Sequence, residues 1–401
     1  MVFLDKIRQR LPIDGQGLGF SSDPGLRGLR RWAAGRFWKR IPAAVRPLFV
    51  VLARLAWVGA VPGRAIRIGR QEALSVRETA RLIGHCAWSG AQPNEAFIWK
   101  NVFKGYHPLP GAAAGRLLPL LCDPDQLRLL RDKQAAAEFL DRAGLAVPAL
   151  LALIPRGTRD GASQILGCAG NRVFVKPRHG SAGRGTMSLE VRAAGRFSLG
   201  SGATIGSEAL NKILCRLASR DDLLVQARLT SAPDLADLVT NERPPILRLT
   251  TARAPGAVPF FHSALLSVDV PGENPGRFIS GQLRVPVDPA SGRLAKGLWF
   301  RRPGERYARL PWSGALLADR LLPAFDSAAR MALEAMTLLP ELPIVNWDMV
   351  LTPTGPVFLE GNTSGDWILT NLAASQGLAC VPLTPILEAW RIKGPSTRSM
   401  A

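Results

Sequence analysis

The chain has 401 residues, with 51 Lys and Arg against 31 Asp and Glu, giving a formal charge of +20. At 47% hydrophobic and 20% charged residues it sits in the globular range, which excludes a chain disordered throughout, and no collagen, coiled-coil or mucin-like pattern is present. The five cysteines, at 86, 122, 168, 215 and 380, form no CxxC or other metal-ligand spacing in a chain long enough to fold without staples, so a reducing, cytoplasmic setting is expected.

The opening MVFLDKIRQRLPIDGQG has no long apolar run behind its charges and no small-residue cleavage site, so no secretory signal is expected. Residues 1–25 are rich in Gly, Pro and Asp and read as loose. From about 26 to 121 the pattern is helical with breaks at Pro and Gly, and this region is strongly basic: residues 1–110 hold 18 Lys and Arg against 6 Asp and Glu. Arg27, Arg30, Arg31, Arg36, Lys39 and Arg40, interleaved with Trp32, Phe37 and Trp38, suit either a solvated helix face or contact with anionic lipid, nucleic acid or an acidic polymer. No zinc-finger, RNA-recognition or leucine-zipper signature is present, so nucleic acid is not an expected partner. The apolar run Leu48 to Val61 is short of the roughly 20 residues needed to span a bilayer and has Arg54 at its middle, so spanning is not expected.

Asp123-Pro124 opens a well-marked helix, with Asp as N-cap, Pro in the first turn, apolar residues at Leu127, Leu130 and Phe139, and Gly144 as the stop. After Pro148 the pattern changes to short strands. RVFVKP at 172–177 precedes a Gly-rich loop, TMSLEV at 186–191 returns from it, and a helix near 207–219 leads into the strand DDLLVQARL at 221–229. Further strands are predicted at 246–253, 258–269 and 279–287, then a long helix at 317–338 and a hairpin at 344–361, and the tail after Lys393 reads as frayed. Strands mixed with helices and several antiparallel returns give an α+β or α/β layered fold.

The hairpin IVNWDMVLTPTGPVFLEGN carries the sharpest chemical signal. Thr352-Pro353-Thr354-Gly355 fits a type I turn closed by a glycine bulge, which pairs Thr352 with Pro356, Met349 with Leu359 and Asp348 with Glu360. Directly opposed carboxylates repel unless something bridges them, and Asn362, two residues beyond Glu360, adds a third oxygen on that face. Such a set suits Mg²⁺ or Mn²⁺; the plainer alternative is a solvent-facing hairpin with two unrelated acids. The loop Lys176-Pro177-Arg178-His179-Gly180-Ser181-Ala182-Gly183-Arg184-Gly185 follows a strand that delivers one lysine, and its glycines let backbone N–H groups turn toward an anion. The Walker and dinucleotide fingerprints are absent. Trp347 and Trp367 read as packing residues, and His85, His107 and His262 as core or surface positions.

In order, Asp132-Lys133 on a helix, Lys176 before the Gly-rich loop, the strand LLVQARL, Arg248 on a strand, and Asp348, Glu360 and Asn362 together resemble the ATP-grasp superfamily, specifically its sugar-transfer-associated branch, over roughly residues 120–390. The resemblance implies two α+β subdomains gripping ATP, after a basic, mainly helical region at 1–115; the parts would be 116–230, with the Gly-rich loop and hinge strand, and 231–395, with the metal-binding hairpin. It implies that Lys133 and Lys176 contact the nucleotide phosphates under a loop closing from Ser181 through Gly183 to Gly185. Gln226, Ala227, Arg228 and Leu229 would form the hinge strand against adenine, although a glutamate would be expected close to Gln226. Asp348, Glu360 and Asn362 would hold Mg²⁺ or Mn²⁺, and Arg248 would face the γ-phosphate and the acceptor. The implied activity is an ATP- and Mg²⁺-dependent ligase joining a carboxylate to an amine, in cell-surface polysaccharide or sugar-conjugate synthesis. A kinase acting on a hydroxyl and a non-catalytic nucleotide-binding protein docked on a membrane or anionic polymer are the alternatives. The expected location is cytoplasmic, with room for peripheral contact at the inner membrane face.

Overall fold

The computed structural model describes residues 42–102, 117–363 and 383–394, except 73, 90, 169, 181, 182, 184, 193, 194, 201 and 278, together with a few positions between 28 and 35 and Leu369 and Leu372. Of the expected basic stretch only Arg31 and Trp32 fall inside this set; Arg27, Arg30, Arg36, Phe37, Trp38, Lys39 and Arg40 lie outside the described residues, as do Ser181, His107, Trp367 and Cys380.

The amino-terminal region is helical, as its pattern predicts. A short 3-10 turn at Ala43–Val45 leads into α1 (Arg46–Gln71), followed by α2 (Val76–Ser89) and α3 (Pro93–Val102). A reciprocal capping box starts α2: Glu78 accepts from the Ser75 N–H (2.8 Å) and hydroxyl (2.7 Å), and Ser75 Oγ accepts from the Glu78 N–H (3.2 Å). Trp57, Val61 and Ala65 of α1, Leu82 and Cys86 of α2, and Ala96 and Ile98 of α3 are buried in one cluster with Leu265, Leu298 and Phe300 from the carboxy-terminal half. The helical region is therefore packed on the rest of the molecule through a shared core.

The helix expected after Asp123 is two helices. Asp123 caps α4 (Pro124–Arg131), accepting from Asp125 N and Gln126 N, and Asp132 then breaks the run with an extended backbone and caps α5 (Lys133–Arg142) through Gln134 N and Ala135 N. The break has a physical cause, because the Asp132 side chain competes for backbone N–H groups that a continuous helix would bond internally.

Two antiparallel sheets follow. The first comprises β1 (Leu150–Ile154), β2 (Arg172–Pro177), β3 (Met187–Val191), β4 (Arg196–Leu199), β5 (Thr204–Gly206) and β6 (Leu223–Ala227), in the order β1-β6-β2-β3-β4-β5. Beside it run the short α6 (Ser163–Leu166) and α7 (Ser207–Ala218). Val173 and Val175 of β2 and Val225 of β6 point into a core with Leu210 and Leu214 of α7, so Phe174, Lys176, Leu224 and Gln226, alternating with them, occupy the other face. The short β4 and β5 were not expected from sequence, since three or four residues show too little alternation to register.

The second sheet comprises β7 (Ile246–Ala252), β8 (Phe260–Asp269), β9 (Gln282–Val287), β10 (Leu298–Trp299), β11 (Ile344–Thr352) and β12 (Gly355–Asn362), in the order β10-β9-β8-β7-β11-β12. One face, including Leu247, Leu249, Leu266, Val285, Trp347 and Met349, joins a core with Ala328, Ala332 and Ala335 of α8 (Phe325–Thr337). α8 begins eight residues later than the 317 expected, because the residues before it form turns and Ala324 takes a left-handed backbone (φ +52°). The last helix is α9 (Leu383–Lys393).

The β11–β12 hairpin corrects the expected register near its turn and keeps it at the acids. Its loop is two residues, so Thr352 pairs with Gly355 and not with Pro356, and Met349 pairs with Phe358 and not with Leu359. A bulge between Asp348 and Met349 then absorbs Leu359, and beyond it Asp348 lies opposite Glu360 and Asn346 opposite Asn362.

Candidate active site

The two sheets meet at one point of high charge. Lys176, at the end of β2 and only 6% exposed, reaches across to β12, where its Nζ donates to the Leu359 carbonyl (3.2 Å). That carbonyl belongs to the bulged residue, so the irregularity that restores the register also supplies the acceptor. Lys133, the first residue of α5, donates from Nζ to the Gly180 carbonyl (2.6 Å) and lies 3.6 Å from Glu360 Oε2. Both lysines thus flank β12 at Glu360.

On the second sheet Asp348 pairs in register with both Arg248 of β7 and Glu360 of β12. Arg248 grips Asp348 with a two-pronged bond, Nε to Oδ1 and Nη2 to Oδ2, both at 2.7 Å. Asn362 Nδ2 donates to Glu360 Oε1 (2.9 Å), and Thr250 Oγ1 donates to Asn346 Oδ1 (2.7 Å) on the same face. Gly361 lies opposite Trp347, and a Cβ there would come within 2.6 Å of the buried indole, so only glycine lets β12 close on the tryptophan between the two polar residues. Trp347 itself is core, edge-on to Phe358 at 5.2 Å with its Nε1 donating to Thr251 Oγ1 (2.9 Å).

Burial pushes the Lys176 ammonium down to about 8; the nearby Glu360 carboxylate opposes this shift and Lys133 adds to it. The lysine is held partly stripped of water beside a second cation, an arrangement that an added anion relieves. Counting Lys133, Lys176 and Arg248 against Asp348 and Glu360, the protein's own charges leave one positive charge in excess.

The Gly-rich loop is moored at its base. Arg178 binds Asp132 through Nε (2.8 Å) and Nη2 (2.6 Å) and Asp222 through Nη1 (3.4 Å), so the cap of α5, the root of the loop and the start of β6 are tied together. Burial would raise the Asp132 carboxyl, but the Arg178 bonds and the helix N–H groups outweigh it and hold it below the usual carboxylate range. His179, at the loop base, binds Asp221 through its backbone N–H (2.6 Å) and Nδ1 (3.0 Å), which makes it an anchor of the turn. Gly180 has φ +134°, a conformation that side chains resist, and this presents its carbonyl to Lys133. Gly183 and Gly185 also have positive φ.

Lys133, Lys176, Arg248, Asp348, Glu360 and Asn362 thus come together in the structure. Gln226 shares with Lys176 the face of the first sheet turned away from the Val173 and Val175 core but is buried within β6, and Ala227 ends that strand. Arg228 binds Glu242 Oε2 (2.8 Å), and Leu229 lies just beyond the strand. Sequence reasoning missed the mooring by Arg178 and Asp222 and the Leu359 carbonyl; the capping position of Asp132 beside Lys133 was the one visible trace of the former.

The donor set decides whether a metal ion fits here. Among the described residues no three His, Cys, Asp or Glu side chains converge, but Asp348, Glu360 and Asn362 offer hard oxygens on adjacent strand positions. Asn362 uses its amide nitrogen on Glu360, which leaves its oxygen as the available donor. Two carboxylates and one amide oxygen match what Mg²⁺ or Mn²⁺ takes from protein when phosphates and water supply the rest. Arg248 takes both Asp348 oxygens in the structure, so the residues fit the group with the guanidinium sharing or releasing that carboxylate.

Among solved structures the chain is similar to the VanG D-Ala:D-Ser ligase from Enterococcus faecalis, with TM-score 0.41 and 14% identity over 67% of this chain and 63% of that one, so it spans less than two thirds of that ligase's length. It is similar also to D-alanyl-alanine synthetase A from Vibrio cholerae, with TM-score 0.43 and 13% identity over 68% of this chain and 67% of that one. A third is biotin carboxylase from Campylobacter jejuni, with TM-score 0.41 and 13% identity over 68% and 48%. No curated protein matches the chain. The sugar-transfer associated ATP-grasp family model matches residues 114–384, which contain every residue of the site just described, and the chain belongs to that family.

Proposed function

We propose that the protein is an ATP- and Mg²⁺-dependent ligase that activates a carboxylate as an acyl phosphate and passes it to an amine, in the building of a sugar conjugate or cell-surface polysaccharide. The observation that carries this reading is the meeting of Lys176, from the first sheet, and Lys133, from the start of α5, with Glu360, Asp348 and Asn362 of the second sheet. Phosphoryl transfer is mostly positioning and charge neutralisation, and these are the parts it needs.

In this reading Lys133 and Lys176 hold the nucleotide phosphates, and the moored Gly-rich loop excludes water above them. Gln226 to Leu229 border the adenine. Asp348, Glu360 and Asn362 hold the divalent cation, which when bound supplies further charge neutralisation to the phosphates. Arg248, beside Asp348, orients the carboxylate of the acceptor and the γ-phosphoryl group. A carboxylate oxygen takes the phosphoryl group as ADP leaves; the amine then attacks the acyl carbon, a C–N bond forms, and inorganic phosphate departs. No Ser, Cys or His nucleophile is required.

The test is to incubate the full chain with Mg-ATP and pools of carboxylates, alone and with amines and amino sugars, and to follow nucleotide and phosphate products together with amide formation by mass spectrometry. The ligase reading expects ADP and phosphate only when carboxylate and amine are both present. AMP with pyrophosphate would refute acyl phosphate chemistry, and ADP with a phosphorylated hydroxyl would select the kinase instead.

A further inference from the structure

Helix α1 is apolar on two sides. Trp57, Val61 and Ala65 are buried against α2 and α3, and the Trp57 Nε1 donates to the Cys86 carbonyl (2.9 Å). About 140° around the helix, at 3.6 residues per turn, Leu48, Val51, Leu52 and Leu55 follow the spacing of a second apolar stripe and face outward, Leu48 at 58% and Leu55 at 62% exposure. Phe49 and Val58 widen that stripe. The most apolar 18-residue window of the stretch Ala43–Gln71 has a mean hydropathy of 1.7, yet only 12% of it is buried. A helix apolar all round belongs in a core or in lipid, and this one gives only its Trp57, Val61 and Ala65 side to a core.

The charge around it says which partner covers the other side. Between Asp23 and Glu72 the sequence has eleven Lys and Arg and no Asp or Glu. Arg67 and Arg70, both exposed, follow the apolar stripe toward the carboxy-terminal end of α1. A second copy of the chain would bring two such acid-free stretches together, whereas an anionic surface with an apolar interior matches both the charge and the stripe. Because the Trp57 side is committed to protein, the helix has one side to offer a bilayer and cannot be surrounded by lipid.

We propose that the outer face of α1 is a membrane-docking surface, lying in the plane of an anionic bilayer with Leu48, Leu52 and Leu55 among the acyl chains and Arg67 and Arg70 at the headgroups. The full chain is mixed with vesicles of phosphatidylcholine, with and without roughly one third phosphatidylglycerol, and co-sedimentation is measured at low and high salt. Wild type is expected to sediment with the anionic vesicles and less so as salt rises. The triple variant Leu48→Ser, Leu52→Ser, Leu55→Ser is expected to bind about tenfold more weakly, with an unchanged circular dichroism spectrum. Equal binding by wild type and triple variant would overturn the proposal, and so would a wild type that ignores anionic vesicles. A solution dimer that the same substitutions dissociate, without vesicle binding, would assign the face to a second copy instead.

Discussion

Replacing Lys176 by methionine tests whether this side chain is kept at a cost to the fold. The lysine is 6% exposed, and burial lowers its ammonium from 10.5 to about 8. At 1.36 kcal/mol per pH unit that shift is a penalty of roughly 3 kcal/mol for keeping the charge in the folded protein. Methionine keeps the stem without the charge, but leaves the Leu359 carbonyl without its donor, which costs about 1 to 3 kcal/mol at every pH. The pH dependence separates the two effects. Below pH 8 the lysine is charged in both folded and unfolded chains, and the whole penalty stands. Between 8 and 10.5 the unfolded chain holds the proton more often than the folded one, so stability rises with pH through this group. Above 10.5 the penalty is gone. Urea unfolding of wild type and Lys176→Met at pH 7, 9 and 10.5 should therefore show wild type gaining most of about 3 kcal/mol relative to the variant, since groups common to both chains cancel in the difference. Mg-ATP at 100 times its Kd should add about 2.7 kcal/mol to wild type and little to the variant. A stability difference that stays flat from pH 7 to 10.5 would refute the argument, because the charge would then carry no burial penalty.

Three further outcomes follow from the packing. Arg178→Ala should cost about 1 to 3 kcal/mol, since it strips Asp132 and Asp222 of a shared cation, and it should raise the Kd for Mg-ATP by loosening the loop, both measurable by thermal unfolding with and without nucleotide. Gly361→Ala should destabilise by about 1 to 3 kcal/mol, because the new methyl meets the Trp347 ring, and fluorescence of the displaced tryptophan should report it. A chain beginning at residue 115 should aggregate at concentrations where the full chain is soluble, because Leu265, Leu298 and Phe300 lose their cover from α1 to α3; a soluble, monodisperse fragment on gel filtration would show that this cluster contributes little.

Much of the fold was legible because its signals are local. Asp123-Pro124 announces a helix start, RVFVKP alternates, and the Gly-rich loop punctuates two strands. Errors fell where a local rule met a longer-range one. The continuous helix after Asp123 failed because Asp132 turns its side chain to the Gln134 and Ala135 N–H groups and caps a second helix, where Arg178, 46 residues away, also binds it, and pairing of that kind leaves no mark in the periodicity. The hairpin is more instructive. The wrong loop length put Thr352 opposite Pro356, and Leu359, bulged out of the ladder, compensated by one residue, so Asp348 still faces Glu360. The docking of the basic helices onto the second sheet was beyond reach of sequence, because Leu265, Leu298 and Phe300 read as ordinary strand and loop residues until a helix is laid across them.

The acids themselves behave differently from an isolated pair. Opposed carboxylates alone would repel, and removing one would then stabilise the protein without metal. In the structure Asp348 is held by two 2.7 Å bonds from Arg248, whose side chain is 21% exposed, while the Lys133 contact of Glu360 is longer, at 3.6 Å. The two positions should therefore separate. Asp348→Asn removes one half of a short, two-pronged pair and leaves a partly buried guanidinium, at a cost of about 1 to 3 kcal/mol without metal. Glu360→Gln gives up the 3.6 Å contact with Lys133 and the attraction to Lys176 at a side chain 25% exposed, but relieves the repulsion from Asp348 and keeps an acceptor for Asn362, so it should stay within about 1 kcal/mol of wild type. Both should lose the Mg²⁺-dependent part of ATP binding, since each removes a charged oxygen donor. Metal-free unfolding midpoints, with Mg²⁺ titrations of the nucleotide thermal shift for the three proteins, separate the stability effect from the metal effect. If either variant keeps the full shift with the magnesium requirement of wild type, that carboxylate is no metal ligand; and if Asp348→Asn is as stable as wild type, the Arg248 pair contributes nothing to the fold.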